Sequence, residues 1–166
     1  MLLATKIIGA VNEWSGKLFC WLLYPAFLLL AYEVFMRYFI NAPSDWTLGM
    51  SQRIFAVYYL MGGAYVLLHD GHIRMDLIFN KLSPRTRAFL DLGLTYPCLF
   101  FVCFVILRFG FPYAFNSLGM METDSTAFGA PLWPVKLFIP LVGIFLTLQA
   151  LAKMSLTVVT AIKGGK

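Results

Sequence analysis

The stretch LFCWLLYPAFLLLAY, from Leu18 to Tyr32, contains no charged side chain. Three further stretches, 54–68, 92–107 and 137–152, are uncharged in the same way. Each is slightly shorter than the roughly 20 residues that cross a hydrocarbon core, but each continues apolar past a flanking charge, which can reach the headgroups. Because runs such as 28–30 lack the period-two alternation of a membrane barrel, the sequence predicts four transmembrane helices, at about 16–40, 51–69, 88–111 and 134–160.

The composition agrees with an all-α integral membrane protein. Of the 166 residues, 60% are hydrophobic and 13% are charged, and the mean hydropathy is +0.78. Soluble domains average about 45–50% apolar and 25% charged residues, and one core of this size could not hide so much apolar surface. We therefore expect a single multi-pass transmembrane domain over residues 1–166.

The distribution of Lys and Arg predicts the orientation, because cytoplasmic loops carry the excess of basic residues. With the N-terminus inside, nine basic residues fall on the cytoplasmic side: Lys6, Lys17, Arg74, Lys81, Arg85, Arg87, Lys153, Lys163 and Lys166. Four fall on the opposite side: Arg37, Arg53, Arg108 and Lys136. Both termini are therefore predicted to be cytoplasmic. The net charge of +5 is assigned to topology and to anionic lipid, and no nucleic-acid partner is expected.

The connections between the spans contain the turn and cap signals. Ser44 or Asp45 could cap a short interfacial helix after the first span, with Trp46 at headgroup depth. Ser83 followed by Pro84 is typical of a helix start. Pro134 begins the fourth span in the same way, with Trp133 and Lys136 beside it at the interface.

Glu33 and Arg37 are four residues apart on the first span and share one helix face. They could form an intramembrane ion site, and the alternative function is then a stand-alone four-helix exporter that uses Glu33. The interpretation we favour is an ion pair near the outer interface, since charges in spans are costly unless they are paired. Arg53 is a second candidate partner for Glu33.

The remaining polar residues do not predict an enzyme. His69 and His72, with Asp70 and Asp76, are a weak metal pattern, and loop contacts are favoured. The three cysteines lie inside apolar segments, which is typical of buried thiols and gives no disulfide framework. Gly62 and Gly63 permit close helix approach, and Pro25 and Pro97 predict local kinks. No catalytic arrangement, metal site or cofactor site is expected in this chain.

Several motifs together carry a family resemblance. The first is RYFINAPSDW, Arg37 to Trp46, and the second is GHIRMD, Gly71 to Asp76, about 25 residues later. Arg53 and GGA, 62–64, lie between them, and ETDS, 122–125, PLWPVK, 131–136, and Leu148-Gln149 follow. Over about residues 15–155 the chain resembles the small membrane subunit (DctQ-like, or Q-type) of tripartite ATP-independent periplasmic (TRAP) transporters.

This resemblance implies a scaffold subunit in the bacterial inner membrane. A much larger transmembrane subunit is expected to carry substrate and sodium ions, and a periplasmic substrate-binding protein is expected to deliver the substrate, typically an organic acid. The small subunit would brace the large one during its motion. Family members often have acidic residues shortly after the tryptophan, whereas this chain has Thr47-Leu48-Gly49-Met50 there. We therefore do not expect this chain to make the electrostatic contacts of those acidic residues.

The candidate site residues fall into two sets. Those predicted to anchor the chain or contact the large subunit are Glu33, Arg37, Trp46, Arg53, Gly62, Gly63, His72, Arg74 and Asp76. Those predicted to dock the binding protein on the periplasmic side are Glu122, Asp124, Ser125, Trp133 and Lys136.

Overall fold

The computed structural model describes residues 2–69, 83–125 and 128–163, which form helices joined by turns. The α-helices in these ranges are α1 (Leu2–Cys20), α2 (Leu23–Phe35), α3 (Thr47–Leu68), α4 (Pro84–Leu90), α5 (Tyr96–Gly119) and α6 (Trp133–Lys163). Two segments are π-helical: π1 (Met36–Ile40) continues α2, and π2 (Asp91–Thr95) joins α4 to α5. The all-α prediction is confirmed for the described part of the chain.

In the described part of the chain, three helical stretches are long and apolar enough to cross a membrane: Thr5–Ile40, Thr86–Gly119 and Trp133–Val159. The second predicted span, α3, has 22 residues and is about 33 Å long at 1.5 Å per residue, but it is not among these three stretches. The described residues therefore contain three candidate membrane-spanning helices, as expected of a membrane protein.

Both predicted proline sites interrupt regular α-helix. Pro25 has no N–H for the carbonyl of Trp21, and a turn at residues 21–22 separates α1 from α2. Before Pro97, the N–H of Tyr96 bonds to the carbonyl of Asp91, five residues back, and closes π2. The prolines therefore explain why two long helices depart from α geometry where they do.

The predicted short interfacial helix after the first span is wrong. Asn41, in the left-handed region with φ 56°, ends π1, and α3 then runs without a break from Thr47 to Leu68. Neither Ser44 nor Asp45 caps it, because the Ser44 hydroxyl donates instead to Glu33 Oε2 at 2.7 Å. The helix start predicted at Ser83 and Pro84 is confirmed: the Ser83 hydroxyl accepts from the Thr86 N–H at 3.2 Å and caps α4.

Helix α6 lies at the centre and packs against α1, α3, α4 and α5. The buried core joins three of these helices, and its residues are Ala64, Leu67, Cys103, Val142, Leu146 and Ala150. The Phe19 and Phe138 rings lie 5.6 Å apart, whereas Asn12 contacts Gln149, so α1 and α6 run antiparallel. Cys20 and Cys98 are exposed and only Cys103 is buried, which corrects the prediction of three buried thiols.

Close helix approach occurs at other glycines than the predicted pair. A Cβ on Gly110 would lie 2.9 Å from Ile139 Cγ2, and one on Gly143 would lie 2.8 Å from Leu107 Cδ2, so α5 and α6 meet through glycine. A Cβ added to Gly62 would have no neighbour within 4 Å, and one added to Gly63 would make only ordinary van der Waals contacts with Leu146. Gly62 and Gly63 therefore do not mediate tight packing within this chain.

Candidate functional site

Glu33 is the centre of a buried polar contact at the end of the first long helix. It is 4% exposed, and its Oε1 accepts from Arg37 Nη2 at 2.8 Å, as the spacing predicts. Its Oε2 accepts from the hydroxyl of Ser44 at 2.7 Å and from the Ser44 N–H at 3.3 Å. The carboxylate therefore joins the end of the helix to the turn that follows, and its hydrogen bonds are satisfied locally.

Arg53 is not the second partner of Glu33, which corrects the sequence-based expectation. Its Nη2 donates instead to Asp124 Oδ2 at 2.7 Å, with both side chains mostly buried. Nearby, the rings of Trp46 and Phe128 lie 6.2 Å apart. These two contacts attach the start of α3 to the connection between α5 and α6.

That connection is ordered by its own hydrogen bonds. The backbone of Thr123 pairs with that of Pro131, and the Asp124 N–H donates to the Ala130 carbonyl at 2.9 Å. The connection begins at Met121, whose φ of 47° is in the region where glycine is the usual helix-ending residue. The result is a hairpin-like turn, here called the outer turn (residues 121–125 and 128–132).

Glu122 and Lys136 form the third polar contact on this side. The Lys136 ammonium donates to Glu122 Oε2 and lies 4.3 Å from the centre of the Tyr113 ring. The hydrogen bond from Lys136 holds the pKa of the Glu122 carboxyl below its ordinary value. The contact fixes the outer turn to the start of α6.

The predicted docking residues are therefore mostly engaged within the chain. Glu122 and Asp124 are in ion pairs, and Trp133 is half-buried at the start of α6, whereas Ser125 is exposed. Beside them the exposed apolar side chains are Met120, Met121 and Phe128. Sequence reasoning missed these three, although Met120 and Met121 directly precede the acidic motif.

A polar cluster at the opposite end of the bundle was also missed. Glu13 binds Lys17 through Oε1 and His69 Nε2 through Oε2, both at 2.7 Å, and the His69 ring lies 4.5 Å from that of Tyr65. The spacing of Glu13 and Lys17 is the signal that could have revealed it. The predicted candidates His72, Arg74 and Asp76 lie outside the described residues.

Gly62 and Gly63 line an open groove of about 490 Å³ between α1 and α3. Gly16, Cys20 and Tyr59 also line it, and the lining is mostly apolar. A Cβ on Gly16 would lie 2.6 Å from Tyr65 Cβ, so α1 and α3 touch at that glycine and separate beside it. The mostly apolar lining suits an apolar group, with Lys17 and Tyr58 also at its edge.

The polar contacts at both ends are hydrogen bonds and ion pairs that join helices to turns and to one another. Within residues 2–69, 83–125 and 128–163, no group of three or more His, Cys, Asp or Glu side chains could hold a metal ion.

The comparison with known families identifies the family of the chain. The model for the DctQ component of tripartite ATP-independent periplasmic transporters matches residues 26–160, which include both the Glu33 contact and the outer turn. No curated protein matches the chain.

Proposed function

The chain belongs to the DctQ component family of tripartite ATP-independent periplasmic transporters, and from this membership we propose that it is the scaffold subunit that holds a large transmembrane subunit in place. A family of transporter components is not an enzyme family, and its place is the inner membrane. The family match over residues 26–160 carries the proposal. The polar contacts support it, because they fix helix ends to turns.

We further propose four spans with both termini in the cytoplasm, α3 being the second span. The contacts that support this are antiparallel pairs: α1 with α6, and α5 with α6, where Tyr113 meets Lys136 and Leu107 lies beside Gly143. Glu13 near His69 and Gly16 near Tyr65 make α1 and α3 antiparallel as well. Because α1 and α6 are antiparallel, the N-terminal end of α1 and the C-terminal end of α6 lie on the same side of the bundle.

The partners in this proposal are a large transmembrane subunit and a periplasmic substrate-binding protein. Transport is proposed to be sodium-coupled import of organic acids, with the sodium ions bound in the large subunit. Arg37, Trp46 and Arg53 would anchor the periplasmic end of the first hairpin. The outer turn would face the binding protein, with Ser125 and Phe128 exposed beside the internal ion pairs.

The exporter alternative gains no support from the structure. An exporter that used Glu33 would need its carboxylate to exchange protons or substrate during the cycle. Here that carboxylate is 4% exposed and is held by Arg37 and by both donors of Ser44. We therefore do not propose it.

Reconstitution tests the scaffold proposal. The affinity-tagged chain is co-expressed with the large TRAP subunit of the same bacterium, and proteoliposomes are made with both subunits, with each alone, and with neither. We expect stable co-purification and sodium-driven uptake of an organic acid only when both subunits and the binding protein are present. Uptake by this chain alone, or full uptake by the large subunit alone, would contradict the proposal.

Protease access to terminal tags tests the topology. Tags at both ends should be cut in inside-out vesicles and protected in right-side-out vesicles. If one terminal tag were cut only in inside-out vesicles and the other only in right-side-out vesicles, the number of spans would be odd. An internal tag between α5 and α6 should show the opposite pattern and serves as the control.

A further inference from the structure

Arg108 is a charged residue on the outside of a membrane-spanning helix. It lies within the apolar stretch Thr86–Gly119 and is exposed, 11 residues, or about 16 Å, from the end of α5. Its guanidinium lies 5.8 Å from the centre of the neighbouring Phe109 ring, and none of the ion pairs among the described residues includes it. Charges within spans are costly and are normally paired or reach the headgroups, and the described residues of this chain supply no carboxylate to this guanidinium.

Arg108 is the middle of a regular stripe along α5, here called the α5 seam: Phe101, Phe104, Arg108, Phe111 and Phe115. The spacing is three, four, three and four residues, which keeps the side chains on one narrow face and is the spacing of a helix–helix contact. All four phenylalanines are exposed, Phe101 at 68% and Phe104 at 60%. The face that α5 buries against α6 is a different one, with Cys103, Gly110 and Ala114.

The backbone at the same point also lacks a hydrogen bond donor. Pro112 lies inside α5, four residues after Arg108, and has no N–H to donate to the carbonyl of Arg108. The α5 seam thus has at its centre a guanidinium without a carboxylate, together with a carbonyl that loses its usual helical donor.

We propose that the α5 seam binds a transmembrane helix of the large subunit, and that an Asp or Glu on that helix pairs with Arg108. The inference rests on the proposed function and adds to it the contact face and the chemistry of the partner. Side chains that alternate at intervals of three and four residues match the surface of a helix better than a single acyl chain. A polar residue at one position of such a seam fixes the register and the choice of partner. The planar guanidinium matches a carboxylate through two hydrogen bonds.

Photo-crosslinking locates the contact. Benzoylphenylalanine replaces Phe104 or Phe111 in the tagged chain, which is co-expressed with the large subunit in native membranes. Control probes replace Phe39, exposed on π1, and Tyr59, exposed beside the α1–α3 groove. We expect adducts with the large subunit at positions 104 and 111 and at neither control. Adducts with lipid alone at 104 and 111, or with the large subunit at Tyr59 alone, would overturn the proposal.

Charge substitution tests the ion pair. We expect R108Q to lower the recovery of the large subunit roughly tenfold, R108K to lower it less, and the control K6Q to leave it unchanged. R108E should abolish recovery, and an acid-to-arginine change in the crosslinked helix of the large subunit should restore it. Each variant must elute as a single species when expressed alone, which separates loss of binding from misfolding.

Recovery of the large subunit distinguishes failure of the scaffold function from failure of the α5 seam. If the wild-type chain recovers no large subunit, both the scaffold function and the seam are overturned. If it recovers the large subunit normally and R108Q does so equally well, the seam is overturned and the scaffold function stands.

Discussion

Asn12 and Gln149 join the first helix to the last: Asn12 Nδ2 donates to Gln149 Oε1 at 2.7 Å, and each residue is 2% exposed. Polar side chains that bond across helices stabilise membrane bundles by about 0.6–2 kcal/mol. We expect Q149L to lower the free energy of unfolding, measured by titration with a denaturing detergent, by about that amount.

Replacing both amides provides the control. In N12L/Q149L no amide is left without its partner, so the double variant should cost less than the sum of the two single variants. Strict additivity would show that the hydrogen bond contributes nothing to stability.

The contact between α1 and α3 at Gly16 gives a second prediction. An added Cβ would lie 2.3 Å from Tyr65 Cδ2 and 2.6 Å from Tyr65 Cβ, too close to be relieved by turning the ring. G16A should therefore cost about 1–3 kcal/mol of stability. G62A is the matched control, because its Cβ meets nothing within 4 Å and alanine is the better helix former. Equal losses in the two variants would contradict the packing at Gly16.

Arg53 and Asp124 should be energetically coupled. Their hydrogen bond of 2.7 Å is mostly shielded from solvent, so a double-mutant cycle with R53M and D124N should give a coupling energy of about 0.5–3 kcal/mol. A cycle between R53M and Q149L serves as the control, since Gln149 bonds to Asn12 instead. A coupling energy near zero for Arg53 and Asp124 would mean that this contact does not hold the outer turn.

The outer turn should loosen in acid. Because Lys136 keeps the pKa of Glu122 below its ordinary value of 4.5, the folded state binds a proton there less readily than the unfolded state does. The stabilisation is therefore complete above about pH 4.5 and is lost as the pH falls through the lowered pKa. Thermal unfolding from pH 7 to pH 3 should show a larger fall in Tm for the wild type than for E122Q. Parallel curves would exclude a role for this carboxylate.

The helices and their local pairs could be predicted from the sequence, because both depend on short spacing. Uncharged runs such as Leu18–Tyr32 predict membrane helices, and the Glu33–Arg37 pair follows from four-residue spacing. Pro25 marks an interruption for the same local reason, since its missing donor affects the carbonyl four residues back.

The long-range contacts could not be predicted in this way. Arg53 lies near Glu33 in the sequence and yet pairs with Asp124, 71 residues away. Ser44 was predicted to cap a helix, but the left-handed turn at Asn41 directs its hydroxyl to Glu33. Gly62 and Gly63 have the composition of a packing motif, whereas the tight contacts are at Gly16, Gly110 and Gly143. Composition indicates which residues can approach closely, but not what lies opposite them.

The central position of α6 has a consequence for biosynthesis. Among the helices that the structure describes it is made last, yet it supplies half of the buried core cluster and packs against α1, α3, α4 and α5. The earlier helices must therefore enter the membrane before their common partner exists, with Asn12 still lacking its bond to Gln149. Assembly of this bundle is consequently a late event that the arrival of α6 completes, and the nascent chain before that point is the stage at which membrane quality control would meet it.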